Sequence, residues 1–339
     1  ILVFAVVVGL GILLAGPFAE LIAPGFDADK QAQVAELSRV MFAGQLLLAA
    51  SMIFGSVLQG LKRFVLASVA PIFYNVGIIS GVVLLYPKMG LIGLAWGVFG
   101  GAVLHLLVQM SGAFISGYKY RPVFKLWNND IKYIVKHMVP RVLGLSVNQI
   151  NFLVMTILAS SLAAGSLTVL QFAYNLNYFP VGVIGVSFAI AAFPALCEAA
   201  EERVKFVVTF ASSVKQILLF AVPAAFLFIA LRAQIVRVVL GAGEFNWEAT
   251  TTTANTMALF VISLAAQSIV FLLVRGFFAL EDTITPFVIG LMSAGINIGV
   301  IFLLMGDYGI LSFGMGYSVS SFIQVVLLWL LLKRKMGVL

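Results

Sequence analysis

Arg141, Asn148, Gln149 and Asn151 punctuate one long apolar stretch, and Thr168, Gln171, Asn175 and Tyr178 recur through the next at i, i+3, i+7 and i+10. The second spacing puts four polar side chains on one face of a helix. Carboxamides, hydroxyls and a guanidinium of this kind bind; they do not react. They offer hydrogen bonds to sugar hydroxyls, peptide amides or phosphate oxygens. Facing lipid they would be costly, so they face either a neighbouring helix, as interhelical glue, or a wet cavity. The cavity reading makes Arg141, Asn148, Gln149, Asn151, Gln171, Asn175 and Tyr178 the candidate lining, with Asn177 a weaker member. A second group, Arg275 with Glu281 and Asp282, sits where another apolar stretch ends and reads as a loop clamp ahead of a gate.

Catalytic constellations do not assemble. The two histidines, His105 and His137, are far apart, with no carboxylate spaced to complete a metal site. Cys197 is the single cysteine, which excludes an internal disulfide and a cysteine cage. Glycine spacings like those of phosphate loops lie inside apolar stretches, where the strand-loop-helix context they need is impossible. Aspartate and glutamate cluster in the connecting segments, which argues against a relay of paired carboxylates. Gln45, His105, Gln109 and Gln267 read as packing contacts. The expectation is a binding and moving protein with no enzymatic centre, metal or cofactor.

The elements that position these residues follow from composition. Of 339 residues, 62% are hydrophobic and 10% charged. Soluble domains carry about 25% charge, so this chain cannot clothe a water-facing surface. It is an all-α polytopic membrane protein. A helix needs about 20 apolar residues to cross the hydrocarbon layer, and stretches of that length lie near 1–23, 34–58, 65–86, 90–116, 139–162, 166–196, 206–230, 251–274, 286–305 and 310–332. Barrel strands are excluded, because they alternate over only about 10 residues. The 31 glycines are spread through these stretches, as close helix packing requires. Between the fourth and fifth, residues 119–138 read as a cytoplasmic amphipathic linker, with Lys125, Trp127, Lys132 and Lys136 suited to the headgroup layer.

Basic residues divide about fifteen to five between the two sets of loops, which places the richer side, with Lys119, Lys136, Arg203 and Lys333, in the cytoplasm. Ten crossings then put both ends of the chain there. The net charge of +7 is orientation chemistry and does not call for nucleic acid. A parallel repeat is also visible. Gly25 and Gly60 match Gly241 and Gly276 at an offset of about 216, and the run from Met89 to Gly97 matches that from Tyr308 to Gly316 at about 219. The second copy has two more helices ahead of it. By symmetry the repeat predicts about 80–90 further residues before Ile1, giving two six-helix bundles.

Several stretches together resemble a known family: Pro24-Gly25-Phe26, the run from Pro140 to Asn151, Phe179-Pro180-Val181-Gly182, Ala192-Phe193-Pro194, and above all Arg275-Gly276-Phe277-Phe278-Ala279-Leu280-Glu281-Asp282-Thr283-Ile284-Thr285-Pro286. In order and spacing they resemble the MurJ (MviN) lipid II flippases, of the multidrug/oligosaccharidyl-lipid/polysaccharide exporter superfamily. The resemblance implies a two-lobe transporter, with 1–118 the partial N-terminal lobe (helices three to six) and 139–339 the C-terminal lobe (helices seven to twelve). It implies a monomer that moves the undecaprenyl-linked peptidoglycan precursor, lipid II, from the cytoplasmic to the outer leaflet of the bacterial inner membrane by alternating access. Where the family commonly has an arginine in the sixth stretch, this chain has Asn175. The alternative is a multidrug/cation antiporter or another polysaccharide-lipid flippase of the same superfamily; an antiporter calls for a membrane-buried carboxylate.

Overall fold

The computed structural model describes residues 2–119, 129–242 and 245–336. Backbone amides in hydrocarbon must be satisfied within their own segment, and long apolar runs answer that demand as helices. The chain forms two compact units, Ile1–Leu126 and Trp127–Leu339.

The first unit contains α1 (Leu2–Leu13), α2 (Ala15–Ile22), α3 (Ala28–Gly60), α4 (Phe64–Ser80), α5 (Tyr86–Met89) and α6 (Leu91–Ile115). The second contains α7 (Asn129–Ser160), α8 (Ser166–Pro180), α9 (Ser187–Glu198), α10 (Arg203–Ala230), α11 (Arg232–Leu240), α12 (Trp247–Val261), α13 (Leu264–Ala279), α14 (Ile284–Tyr308) and α15 (Leu311–Lys335). Seven runs are long and apolar enough to cross a bilayer singly, and two bent pairs raise the number to nine. α7 supplies the remaining stretch, with its apolar portion at Ser146–Ser160. The expected apolar stretches therefore all fall on helices. No strand occurs among the described residues.

Several of these stretches bend or unwind where their apolar pattern alone predicts a straight helix. α1 and α2 meet at 72°, where Pro17 removes a helical donor and crowds the carbonyl of Leu13. α12 and α13 meet at 45° with neither proline nor glycine at the break. π-helical turns at Gly81–Leu85 and Val181–Val186 interrupt the third and sixth stretches. Residues 120–128 of the expected amphipathic linker lie outside the described residues; from Asn129 the helix runs unbroken into α7.

The repeat is legible in the backbone. Among the described residues, the two non-glycines with positive φ are Lys62 (φ 59°), after α3, and Glu281 (φ 58°), after α13; they stand 219 positions apart. Gly90 (φ 64°), which precedes α6, and Gly309 (φ 52°), which ends α14 ahead of α15, are separated by the same 219. A side chain strains such backbone, so two matching pairs are hard to obtain without a shared ancestral turn.

Each unit packs by its own means. In the first, Gly77 and Gly81 approach Gly93, Gly97 and Gly101 of α6 so closely that a Cβ on Gly97 would stand 2.4 Å from the Gly81 Cα. Small residues at every fourth position let helix backbones meet directly, which is how apolar helices gain contact when lipid is as apolar as they are. In the second unit a continuous core gathers Met155, Phe206, Phe260, Phe277, Phe313 and Leu328, all buried.

Candidate functional site

α7 and α8 are joined by the short loop 161–165 and touch where the Phe152 and Tyr174 rings lie 4.7 Å apart. A hairpin of this kind runs antiparallel. One turn before Phe152 therefore lies on the same side of that contact as one turn after Tyr174. Asn148 and Tyr178 occupy those places, and both are exposed. Tyr178 stacks on Tyr174 at 6.3 Å, while the Tyr317 and Phe260 rings brace Tyr174 from behind, at 5.8 and 5.9 Å. The polar edge thus rests on a rigid aromatic wall.

The α8 stripe behaves as one surface. Thr168, Gln171, Asn175 and Tyr178 are all exposed, whereas Leu170, Ala173 and Asn177 on the opposite side are buried. On α7, Asn148 and Gln149 are exposed as well. The side chain of Arg141 lies outside the described residues. Amide and hydroxyl groups beside an exposed phenol ring offer neutral hydrogen bonds and an apolar face, a combination suited to sugars and peptide amides.

Asn151 is placed differently. Its Oδ1 accepts from Asn297 Nδ2 of α14 at 3.0 Å, and its own Nδ2 reaches Met155 Sδ at 4.0 Å. Asn297 is 1% exposed and was not singled out from the sequence. Its signal was available: it is a lone carboxamide inside an otherwise apolar crossing. The Asn151–Asn297 pair ties α7 to α14. Asn177 likewise points inward, donating to Gln267 Oε1 at 3.0 Å. The expected packing role of Gln267 and Gln109 fits their burial, and Gln109 fills the space beside Gly55. His105 meets Ser51 Oγ through Nδ1 at 2.7 Å, inside the first unit.

The group at the end of α13 is rearranged relative to expectation. Arg275 does not pair with the carboxylates; its guanidinium lies over the Phe193 ring, 5.6 Å from the centroid, in a cation–π contact. Glu281 is exposed on its left-handed turn. Asp282 takes the central place. Its Oδ1 accepts from the Thr285 N–H at 3.0 Å, and its Oδ2 accepts from the Thr285 hydroxyl at 2.8 Å and from Lys335 Nζ at 2.7 Å. Burial alone would raise the pKa of this carboxyl. The Lys335 ammonium and the two Thr285 donors outweigh burial and hold it at about 2. The result is a clamp between the start of α14 and the end of α15. No His, Cys, Asp or Glu cluster able to hold a metal occurs among the described residues.

Comparison with known proteins agrees with this architecture. The family model described as lipid II flippase MurJ matches residues 1–339. The probable lipid II flippase MurJ of Borreliella burgdorferi is 26% identical over 292 residues, covering 86% of this chain and 58% of the relative, so the chain spans little more than half of that protein's length. Among solved structures, a lipid II flippase MurJ in an inward closed conformation superposes with a TM-score of 0.85 at 22% identity, covering 98% of this chain and 70% of that one. An inward-facing multidrug resistance MATE transporter of the MOP superfamily gives 0.84 at 13% identity, covering 99% and 79%. At these identities the two structures establish a shared fold. With the family model matched from end to end, over helices whose order and repeated turns agree with the sequence pattern, the chain belongs to the lipid II flippase MurJ family.

Proposed function

We propose that this chain is the membrane core of a flippase for lipid II, carrying the undecaprenyl-linked peptidoglycan precursor from the cytoplasmic to the outer leaflet of the bacterial inner membrane by alternating access. Family membership supplies the substrate class. The observation that carries the site is the exposed face of α8: Thr168, Gln171, Asn175 and Tyr178 stand uncovered in a helix run otherwise apolar enough to span a bilayer. Polar groups left uncovered at membrane depth call for water or a polar ligand. Together with Asn148 and Gln149 they form the lining that receives the glycan and peptide of the substrate. In this reading Arg141 belongs to the same lining by its position on α7, and Asn151 supports it through Asn297.

Charge placement orients the chain with both described ends, and the Asp282–Lys335 clamp, at the cytoplasmic side. There the clamp holds α14 to α15, with Arg275 anchored on Phe193 beside it. The protein works as a monomeric transporter, not an enzyme, without a cofactor and without nucleic acid, its partners being its lipid-linked substrate and the surrounding lipids. The test is complementation of cells depleted of their own lipid II flippase by the Asn175→Leu variant of the protein as encoded, with membrane abundance measured alongside. Lost growth at normal abundance supports the lining. Normal growth per molecule at reduced abundance refutes it.

A further inference from the structure

The α12–α13 crossing bends by 45° at a place where neither proline nor glycine explains it. Besides proline, Gly/Ser pairs and π-bulges, sharp helix bends arise where a side chain or a water inserts into the backbone hydrogen-bond ladder. Here Ser263 and Gln267 reach the Phe260 carbonyl, and Ser318 of α15 donates to the Leu259 carbonyl; of these, Gln267 also ties the break to α8. The Phe260 carbonyl accepts from the Ser263 N–H at 3.3 Å, from Ser263 Oγ at 3.0 Å and from Gln267 Nε2 at 3.0 Å. Gln267 Nε2 also lies 2.9 Å from Ser263 Oγ. Both amide hydrogens of Gln267 are thus spent on the break. In the repeat-related helix α3 the position 219 residues before Gln267 is Leu48, which has no amide to insert, and α3 crosses without interruption. The repeat supplies its own control.

The remaining group of Gln267 reaches a different helix. Its Oε1 accepts from Asn177 Nδ2 of α8, and Asn177 is 0% exposed. One residue beyond Gln267, the Ser268 backbone packs so tightly on the π turn after α8 that a Cβ on Gly185 would stand 2.6 Å from the Ser268 Cα. Asn177 lies two residues from Asn175, about 200° around the helix. Whatever fixes Asn177 inward therefore fixes Asn175 outward.

We propose that Gln267 and Asn177 are positioning residues that form a latch: the carboxamide filling the α12–α13 break also sets the rotation of α8, so the bend and the direction of the Asn175 face change together. Straightening α12–α13 restores backbone partners at Phe260, expels Gln267 and releases Asn177, which lets α8 turn its polar face. Only the transport consequence rests on the flippase reading; the coupling of bend to α8 does not.

The experiment uses the protein as encoded, with Cys197 replaced by Ser, in proteoliposomes without substrate, and spin labels at positions 247 and 278 flanking the bend. With a rise of about 1.5 Å per residue, straightening a 45° bend lengthens that distance by about 3 Å. Gln267→Met, which keeps length but loses the donors, is expected to lengthen or broaden the distribution. Asn177→Leu, on a different helix, is expected to do the same, and the double variant no more than either alone. A wild-type distance in Asn177→Leu overturns the latch, as does strict additivity in the double variant. If Asn177→Leu fails to accumulate, Asn177→Ser with the same labels decides it by the same criteria. The distance is read without lipid II, so the latch stands or falls on it even if the protein moves another substrate. Transport of lipid II, measured separately, fails or succeeds with the flippase reading.

Discussion

Asn175 and Asn177 stand two residues apart on α8 and face opposite ways: the first is exposed, the second fully buried with its Nδ2 on Gln267 Oε1 at 3.0 Å. Leucine at the two sites should therefore differ in its cost to folding. Asn175→Leu should leave membrane abundance near normal and reduce transport. The lost contact to a polar headgroup costs about 1–3 kcal/mol when a partner is left unsatisfied. Asn177→Leu should lower abundance or thermal stability, by about 0.6 kcal/mol if it behaves as a typical interhelical bond in a membrane. Quantifying both proteins in membranes separates the two effects; an equal loss of abundance in the two variants would contradict the assignment of the two faces.

Asn175→Arg is the complementary substitution. A guanidinium on a wet face is tolerated, whereas at a lipid-facing helix centre it costs about 2.5–3.5 kcal/mol on insertion scales. Accumulation comparable to the parent protein is expected. Failure to insert would count against the lining, whatever the leucine variant does.

The packing of Gly77 and Gly81 on α6 predicts a sharp contrast between neighbouring glycines. A Cβ on Gly97 meets the Gly81 Cα at 2.4 Å, while a Cβ on Gly100 meets nothing within 4 Å. Gly97→Leu should force the helices apart and abolish accumulation of folded protein, and Gly100→Leu should be nearly neutral. Protease resistance of the purified variants reports the difference.

Asp282 yields a pH dependence of defined sign. Its carboxyl titrates near 3.8 when unpartnered and is held at about 2 in the folded chain. A depressed carboxylate contributes stability that is present above its unfolded pKa and is lost as pH falls toward the folded one. The clamp is therefore constant through neutral pH and weakens between about pH 4 and 2. Because Lys335 is 39% exposed, the pair contributes at most about 1 kcal/mol. Thermal unfolding in detergent should show a small acid-side loss in the parent protein that is absent in Asp282→Asn.

Orientation is checked by labelling. With Cys197 replaced, a cysteine at position 125 should stay hidden from an impermeant thiol reagent in intact cells, and one at position 246 should react. The reverse pattern would invert the topology.

The sequence by itself determined the solvent and the scaffold. Long apolar runs with few charges permit only helices in a bilayer, so ten stretches, their order and the repeat could be read from residue types alone. Helical periodicity also identified the α8 stripe, because a face is a local property of 3.6 residues per turn. It could not say what stands opposite that face. Asn148 and Asn151 look alike in sequence, yet Asn151 is taken up by Asn297, 146 residues away, while Asn148 stays open. Arg275 was nearest in sequence to Asp282, but the carboxylate's partner is Lys335, 53 residues on, because the end of α15 returns to the start of α14. The α12–α13 bend carries no proline or glycine to announce it. At the bend sits the Gln267 carboxamide, whose other end is held by Asn177, 90 residues earlier in the chain. Such pairings depend on how packed helices bring distant side chains within about 3 Å. Local spacing fixes which way a polar group points, and only the tertiary structure decides whether it meets a partner there or remains free for a ligand.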